Sequence, residues 1–176
     1  MGTGPPHIFT TLARHRRLFR PWLRFAGALM PGGKLPRADS ELLILRVAHN
    51  TGSAYEWSQH ERLALTAGLS REEIERVRQG AAADGWSERH RLLLGAADEL
   101  HSEKRAISAD TWDALRPLLS DAELIELCML VGHYEMLAMT LNSLGVVPDR
   151  MPDGSPPRLA RVAGELRARR DRRRSG

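Results

Sequence analysis

The sequence predicts an all-α fold, a compact bundle of about seven to eight helices, on three observations. Apolar residues recur at spacings of three and four along nearly the whole chain, the period of a helix with one buried face. No stretch alternates with the period of two that marks a half-buried strand. Ser-x-x-Glu capping boxes, SREE at Ser70–Glu73 and SDAE at Ser120–Glu123, together with single glycines, cut the chain into helix-length pieces. A length of 176 residues is one domain with a real core, and 5% aromatic content leaves that core to Leu, Ala, Val and Ile.

Taken in order, residues 7–19 and 21–30 read as two short helices, the second opened by Pro21 at its first position. PGGKLP, residues 31–36, breaks the pattern. A buried helix follows from Pro36 to Asn50, stopped by Gly52 in a left-handed cap. The next runs over 54–67 and ends at Gly68, so 36–50 and 54–67 form a helical hairpin at the centre of the bundle. The Ser70 box opens a helix to Gln79, stopped by Gly80. After a loop around AAADG, residues 87–104 form a longer helix with Leu92, Leu93, Ala96 and Leu100 inward. Residues 109–116 end at Pro117, and the Ser120 box begins a long helix through Leu144, stopped by Gly145. Composition changes after Val147. Residues 1–147 are therefore read as the folded domain, and 148–176 as a Pro-containing linker and basic, Arg-rich tail. A weak helical stripe of Leu159, Val162, Ala163 and Leu166 lies in that tail.

Charge and cysteine usage narrow the functional classes. The formal charge is +4, but residues 148–176 hold nine Arg against four acids, which leaves the rest of the chain at −1. The basic character belongs to the tail, and nucleic acid is expected to be met, if at all, only there. The tail has no aromatic residue for base stacking. The single cysteine, Cys128, excludes an internal disulfide and a thiolate zinc site. Of His90, Asp98 and His101, only Asp98 and His101 are suitably spaced, three apart, and no third ligand has a matching spacing, so no metal site is expected. No Gly-rich phosphate loop, nucleophile elbow or dinucleotide fingerprint occurs. No apolar run has the make-up of a signal peptide or a membrane span. A cytoplasmic protein without a membrane partner is the expectation.

Chemistry concentrates in the hairpin. Glu41 lies eleven residues before Gly52 and His60 eight after it, about 16 Å and about 12 Å from the turn at 1.5 Å per residue. With antiparallel axes about 8–10 Å apart, the two side chains reach one another across the groove. Glu56 precedes His60 by four residues and shares its face, along with Ser53. Carboxylates flanking an imidazole fix its tautomer and raise its basicity, as a general base requires, and a buried Glu can hold its proton and serve as an acid. Tyr55 is next to this stripe. Two plainer readings remain open: Ser53-x-x-Glu56 is itself a capping box, and Glu41 sits where a carboxylate suits the helix dipole. Later in the chain, His133 and Tyr134 interrupt an otherwise apolar helix and are candidates for lining the same site.

The stretch LLILRVAHNTGSAYEWSQHERLALTAGLSREEIERV resembles the core of the carboxymuconolactone decarboxylase family, which also contains the alkylhydroperoxidase D-like thiol peroxidases. LVGHYEMLAMTLNSLGV is similar to the closing helix of its longer members, so the resemblance covers roughly residues 20–147. In the peroxidase branch a Glu precedes Cys-x-x-Cys, with a His four residues further on. Placing His60 on that His puts Glu41 on the Glu and lets the cysteines fall on Ser53 and Glu56, so peroxidase activity by the thiol route is disfavoured. The resemblance implies an alkylhydroperoxidase D-like fold, a homo-oligomer (dimer, trimer or hexamer) and no cofactor. It implies a decarboxylase-like enzyme moving protons on a small lactone, carboxylate or carbonyl substrate, of the kind found in catabolic or natural-product pathways. Glu41, His60 and Glu56 would be its catalytic residues, with Tyr55, Ser53, His133 and Tyr134 binding substrate. A non-catalytic, oligomeric small-molecule-binding protein of the same fold is the alternative.

Overall fold

The helix that organises the molecule is α3, Arg37–Asn50, because its apolar residues point in every direction. Leu42, Leu43, Ile44, Leu45, Val47 and Ala48 are all buried, and a helix apolar all round needs neighbours on every side. The computed structural model describes residues 5–149, and among them there are eight α-helices and no strand. The other seven are α1 (His7–Leu12), α2 (Arg16–Leu29), α4 (Ala54–Thr66), α5 (Arg71–Val77), α6 (Glu88–His101), α7 (Ala109–Leu115) and α8 (Asp121–Ser143). Helices α4, α5, α6 and α8 pack around α3, α7 backs onto α6, and α2 lies across α8. The linker and tail beyond Asp149, including the stripe from Leu159 to Leu166, lie outside the described residues.

Most helix boundaries follow the local signals. Both capping boxes form with their reciprocal bonds, Ser70 with Glu73 and Ser120 with Glu123. Gly52 takes φ +62° directly after α3, which turns the chain back into α4 within three residues. The N-terminal pair differs from expectation. The chain breaks at Ala13–His15, and Pro21 lies inside α2. Pro21 is exposed, and so is Arg17, whose carbonyl it leaves without a partner; water can satisfy that carbonyl, so the helix continues through the proline. The helices starting at 71 and 88 also end sooner than the apolar pattern suggests, at Val77 and His101.

Helix α8 is long and apolar enough to cross a bilayer by length and composition, and 56% of that window is buried inside the bundle. Its carboxylates have specific duties there. Glu126 receives the backbone N–H groups of Lys34 (2.5 Å) and Leu35 (3.2 Å), and so fastens the PGGKLP loop to the core. Glu135 pairs with His101 of α6 at 2.6 Å.

Candidate active site

The α3–α4 hairpin brings Glu41 and His60 into contact. Glu41 Oε2 is 2.7 Å from His60 Nδ1, with Glu41 fully buried and His60 only 4% exposed. Arg37, one turn before Glu41, brings its guanidinium to 2.5 Å from Oε1. The carboxylate is thus held between a cation that reaches in from the surface and the imidazole it orients. With Nδ1 committed to Glu41, Nε2 has no hydrogen-bond partner among the described residues and is the nitrogen left to meet a substrate. The dipole reading of Glu41 does not account for this geometry.

Glu56 resolves the other plain reading. Ser53 Oγ does accept the Glu56 N–H at 3.4 Å, but the return half of a capping box is missing. The Ser53 N–H instead donates to the Ala48 carbonyl at 2.9 Å, within the Gly52 turn. The Glu56 carboxyl is released from capping and buried at 2% exposure, with neither oxygen in a formed hydrogen bond. Burial is the main reason its pKa is pushed up to about 8; the negative charge of Glu135 adds to this and the Ser53 hydroxyl opposes it. At neutral pH, Glu56 is a carboxylic acid with a proton to give.

Helix α8 closes the site. The Tyr134 ring meets the His60 ring edge-on at 5.0 Å between centroids, and its phenol is held well above its ordinary pKa by burial and by the charges of Glu41 and Glu56. It therefore stays a neutral donor. His133, 5% exposed, lies 5.3 Å from Tyr134, and burial, aided by His60, pushes its pKa down to about 4. Its Nδ1 is buried without a partner. The arrangement sets one oriented imidazole beside a protonated carboxyl, with neutral donors around them. An imidazole oriented by a carboxylate, next to a carboxyl that keeps its proton, is equipment for acid–base catalysis.

Tyr55 is placed elsewhere. Its hydroxyl donates to Asp149 Oδ2 at 2.9 Å and accepts the Ile8 N–H at 3.3 Å, so it ties the two ends of the folded body together. Its hydroxyl is committed there and not to the Glu41–His60 pair, and a part for Tyr55 in binding substrate stays a proposal. Asp149, assigned from sequence to the linker, is itself buried and also takes the His7 N–H (2.9 Å) and Gln59 (3.3 Å). Sequence reasoning missed Arg37, although its i, i+4 spacing from Glu41 was legible. It also missed Trp22 and Phe25 of α2, whose rings lie 6.3 Å and 5.3 Å from that of His133. No local signal says which face of α2 covers α8.

Comparison with known proteins bears on the fold and on the family that the chain resembles. Residues 16–99 match the carboxymuconolactone decarboxylase family. No curated protein matches the chain. Among solved structures, a protein of unknown function from Agrobacterium tumefaciens, described as an AhpD antioxidant defence protein, superposes with TM-score 0.73. That pair is 20% identical, over 80% of this chain and 97% of the other. An uncharacterised peroxidase-related protein from Ralstonia eutropha JMP134, with an alkylhydroperoxidase AhpD core, gives 0.73 at 19% identity, over 81% and 76%. The debrominase Bmp8 in complex with 2,3,4-tribromopyrrole gives 0.70 at 14% identity, over 84% and 78%. The all-α fold is AhpD-like, and the segment that supplies Glu41, Glu56 and His60 lies within the 16–99 stretch that matches the carboxymuconolactone decarboxylase family model.

Proposed function

We propose that the protein is a carboxymuconolactone decarboxylase-like enzyme that moves protons on a small lactone, carboxylate or carbonyl substrate without a cofactor. The observation that carries this reading is the buried Glu41–His60 pair, backed by Arg37 from the surface and ending at a free Nε2, with a Glu56 carboxyl one turn away that keeps its proton. In a decarboxylation, the bond from ring carbon to carboxylate breaks and carbon dioxide leaves. The electron pair passes into the conjugated carbonyl as an enolate, and one proton then reaches carbon. Tyr134, as a neutral donor, suits the enolate oxygen, and Glu56 supplies the one proton that carbon gains; where the double bond also shifts, His60 takes a second proton from one carbon and returns it to another, with no net change. A buried, low-dielectric setting strengthens each of these interactions.

Peroxide reduction is the reading that the names of the fold relatives suggest, and the residues argue against it. The positions matching the thiol pair hold Ser53 and Glu56. Cys128, on α8, is half-buried, and burial pushes its thiol pKa up, away from the thiolate that such chemistry needs. The test is carbon dioxide release from a panel of γ-lactone acids and β-keto acids. The His60→Gln enzyme is expected to lose about 10²–10⁴-fold in turnover, the usual share of a positioned acid–base group, while Cys128→Ser retains it. Undiminished turnover in His60→Gln would remove the proposal.

A further inference from the structure

We infer that Trp22, Phe25 and His133 form a binding subsite for a planar, conjugated ring that carries a carbonyl oxygen and at most one negative charge. Trp22 and Phe25 sit three residues apart on α2, so both reach the same side of α8. The His133 ring lies between them, edge-on to Phe25 at 80° and tilted 33° from Trp22. Behind Trp22, Phe19 stacks at 5.9 Å and Phe9 packs at 6.2 Å, which fixes the indole in place. The rings run on through Tyr134 to His60, so an occupant of this subsite lies alongside the acid–base pair.

Two polar atoms in these walls have no use in the protein itself. Trp22 Nε1 and His133 Nδ1 are both buried, and neither has a hydrogen-bond partner. Buried polar groups are rarely left unpaired, because each orphan costs the fold its lost hydration. Side by side in aromatic walls, the two nitrogens read as contacts kept for a ligand. The indole N–H can only donate, so it requires an acceptor such as a carbonyl or enolate oxygen. Phe25 packs edge-on against His133 and is itself 38% exposed, so it has ring surface left for a flat partner.

Charge sets the remaining limit. Burial holds His133 neutral, the one charged group that acts on it is His60, and Arg37 is matched by Glu41, so the walls offer a single cationic partner at most. Against such walls, each added carboxylate must leave water without a counter-charge, which is strongly unfavourable. A polycarboxylate is therefore refused, and a neutral or singly charged ring lactone, enone or phenolic carbonyl is accepted. This deepens the proton-transfer reading and relies on it only for the chemistry done on the bound ring.

The test titrates the full chain with 7-hydroxycoumarin, a planar ring lactone, and separately with benzene-1,3,5-tricarboxylate, following binding calorimetrically. The coumarin is expected to bind, and the tricarboxylate at least tenfold more weakly. Trp22→Phe keeps the ring and removes only the N–H, and is expected to weaken coumarin binding by about tenfold, the upper range for one hydrogen bond. Cys128→Ser, on the same helix as His133 but outside this ring cluster, should leave coumarin binding within about threefold. No coumarin binding, equal binding of the tricarboxylate, or an unchanged Trp22→Phe affinity would each overturn the subsite. Coumarin binding with the expected losses, in an enzyme whose turnover survives His60→Gln, would sink the proton-transfer reading and leave the subsite standing.

Discussion

At the scale of single residues, burial has altered the ordinary ionisation of Glu56, His133 and Tyr134. Glu56 is held protonated up to about 8, so between its ordinary value of 4.5 and that point the folded chain binds one proton more than the unfolded chain. Stability therefore falls as pH rises through that window, by about 1.4 kcal/mol per pH unit. His133 works in the opposite sense. Its pKa drops from 6.5 to about 4, so the unfolded chain binds the extra proton and stability falls as pH decreases across that interval. The two slopes oppose each other between about 4.5 and 6.5 and leave Glu56 alone above that. Chemical denaturation from pH 5 to 9 should show wild-type stability declining above about 6.5, and Glu56→Gln should lose that decline and gain stability at pH 8. A decline that persists in Glu56→Gln would show that another group titrates. Glu41 and His60 were legible because helix rise and hairpin spacing alone place them opposite one another. Glu56 was only half legible, since Ser-x-x-Glu reads as a capping box until the Gly52 turn is seen to take the Ser53 N–H for Ala48.

At the scale of elements, the fold depends on α8 holding the loop that leads into α3. Glu126 takes two backbone N–H groups from that loop, and a Cβ added at Gly33 would run into the Glu126 carboxylate and lie 2.6 Å from the Leu29 carbonyl. Gly33→Ala is expected to destabilise the protein by about 1–3 kcal/mol, as overpacking does, measured by urea denaturation. An unchanged midpoint would show that the loop relaxes freely. Because this loop delivers Arg37, one turn from Glu41, the same variant should also reduce turnover. Local signals located the starts of α5, α6, α7 and α8 well, since each opens on a serine cap whose bonding is settled within four residues. They failed at α1–α2. A proline at the first position and a proline on the solvent side of a continuing helix look alike in sequence, and only the exposure of Pro21 separates them.

At the scale of the whole molecule, one face remains uncovered. Ile125, Met129, Met136 and Met139 of α8 are 47–65% exposed, and with Gly132 they are spaced four, three, four and three residues apart. That is the seam spacing of two supercoiled helices, and its regularity favours a second copy of α8 as the occupant. We therefore propose a homodimer through this face. Sedimentation of the wild-type chain should give at least twice the mass of one chain, and Met129→Glu with Met136→Glu should give a monomer. A monomeric wild type would rule out the seam. The position of this face could not be read from sequence, because α8 is apolar on both its buried and exposed sides.

The proposed chemistry requires a buried, protonated Glu56 that works with a Glu41-oriented His60. The pH dependence of carbon dioxide release tests it most directly, on whichever γ-lactone or β-keto acid the wild-type enzyme turns over. Turnover should fall as pH rises through about 8, where Glu56 gives up its proton, and the residual activity of Glu56→Gln should show no such limb. A profile flat through that pH, or the same limb in Glu56→Gln, would contradict it.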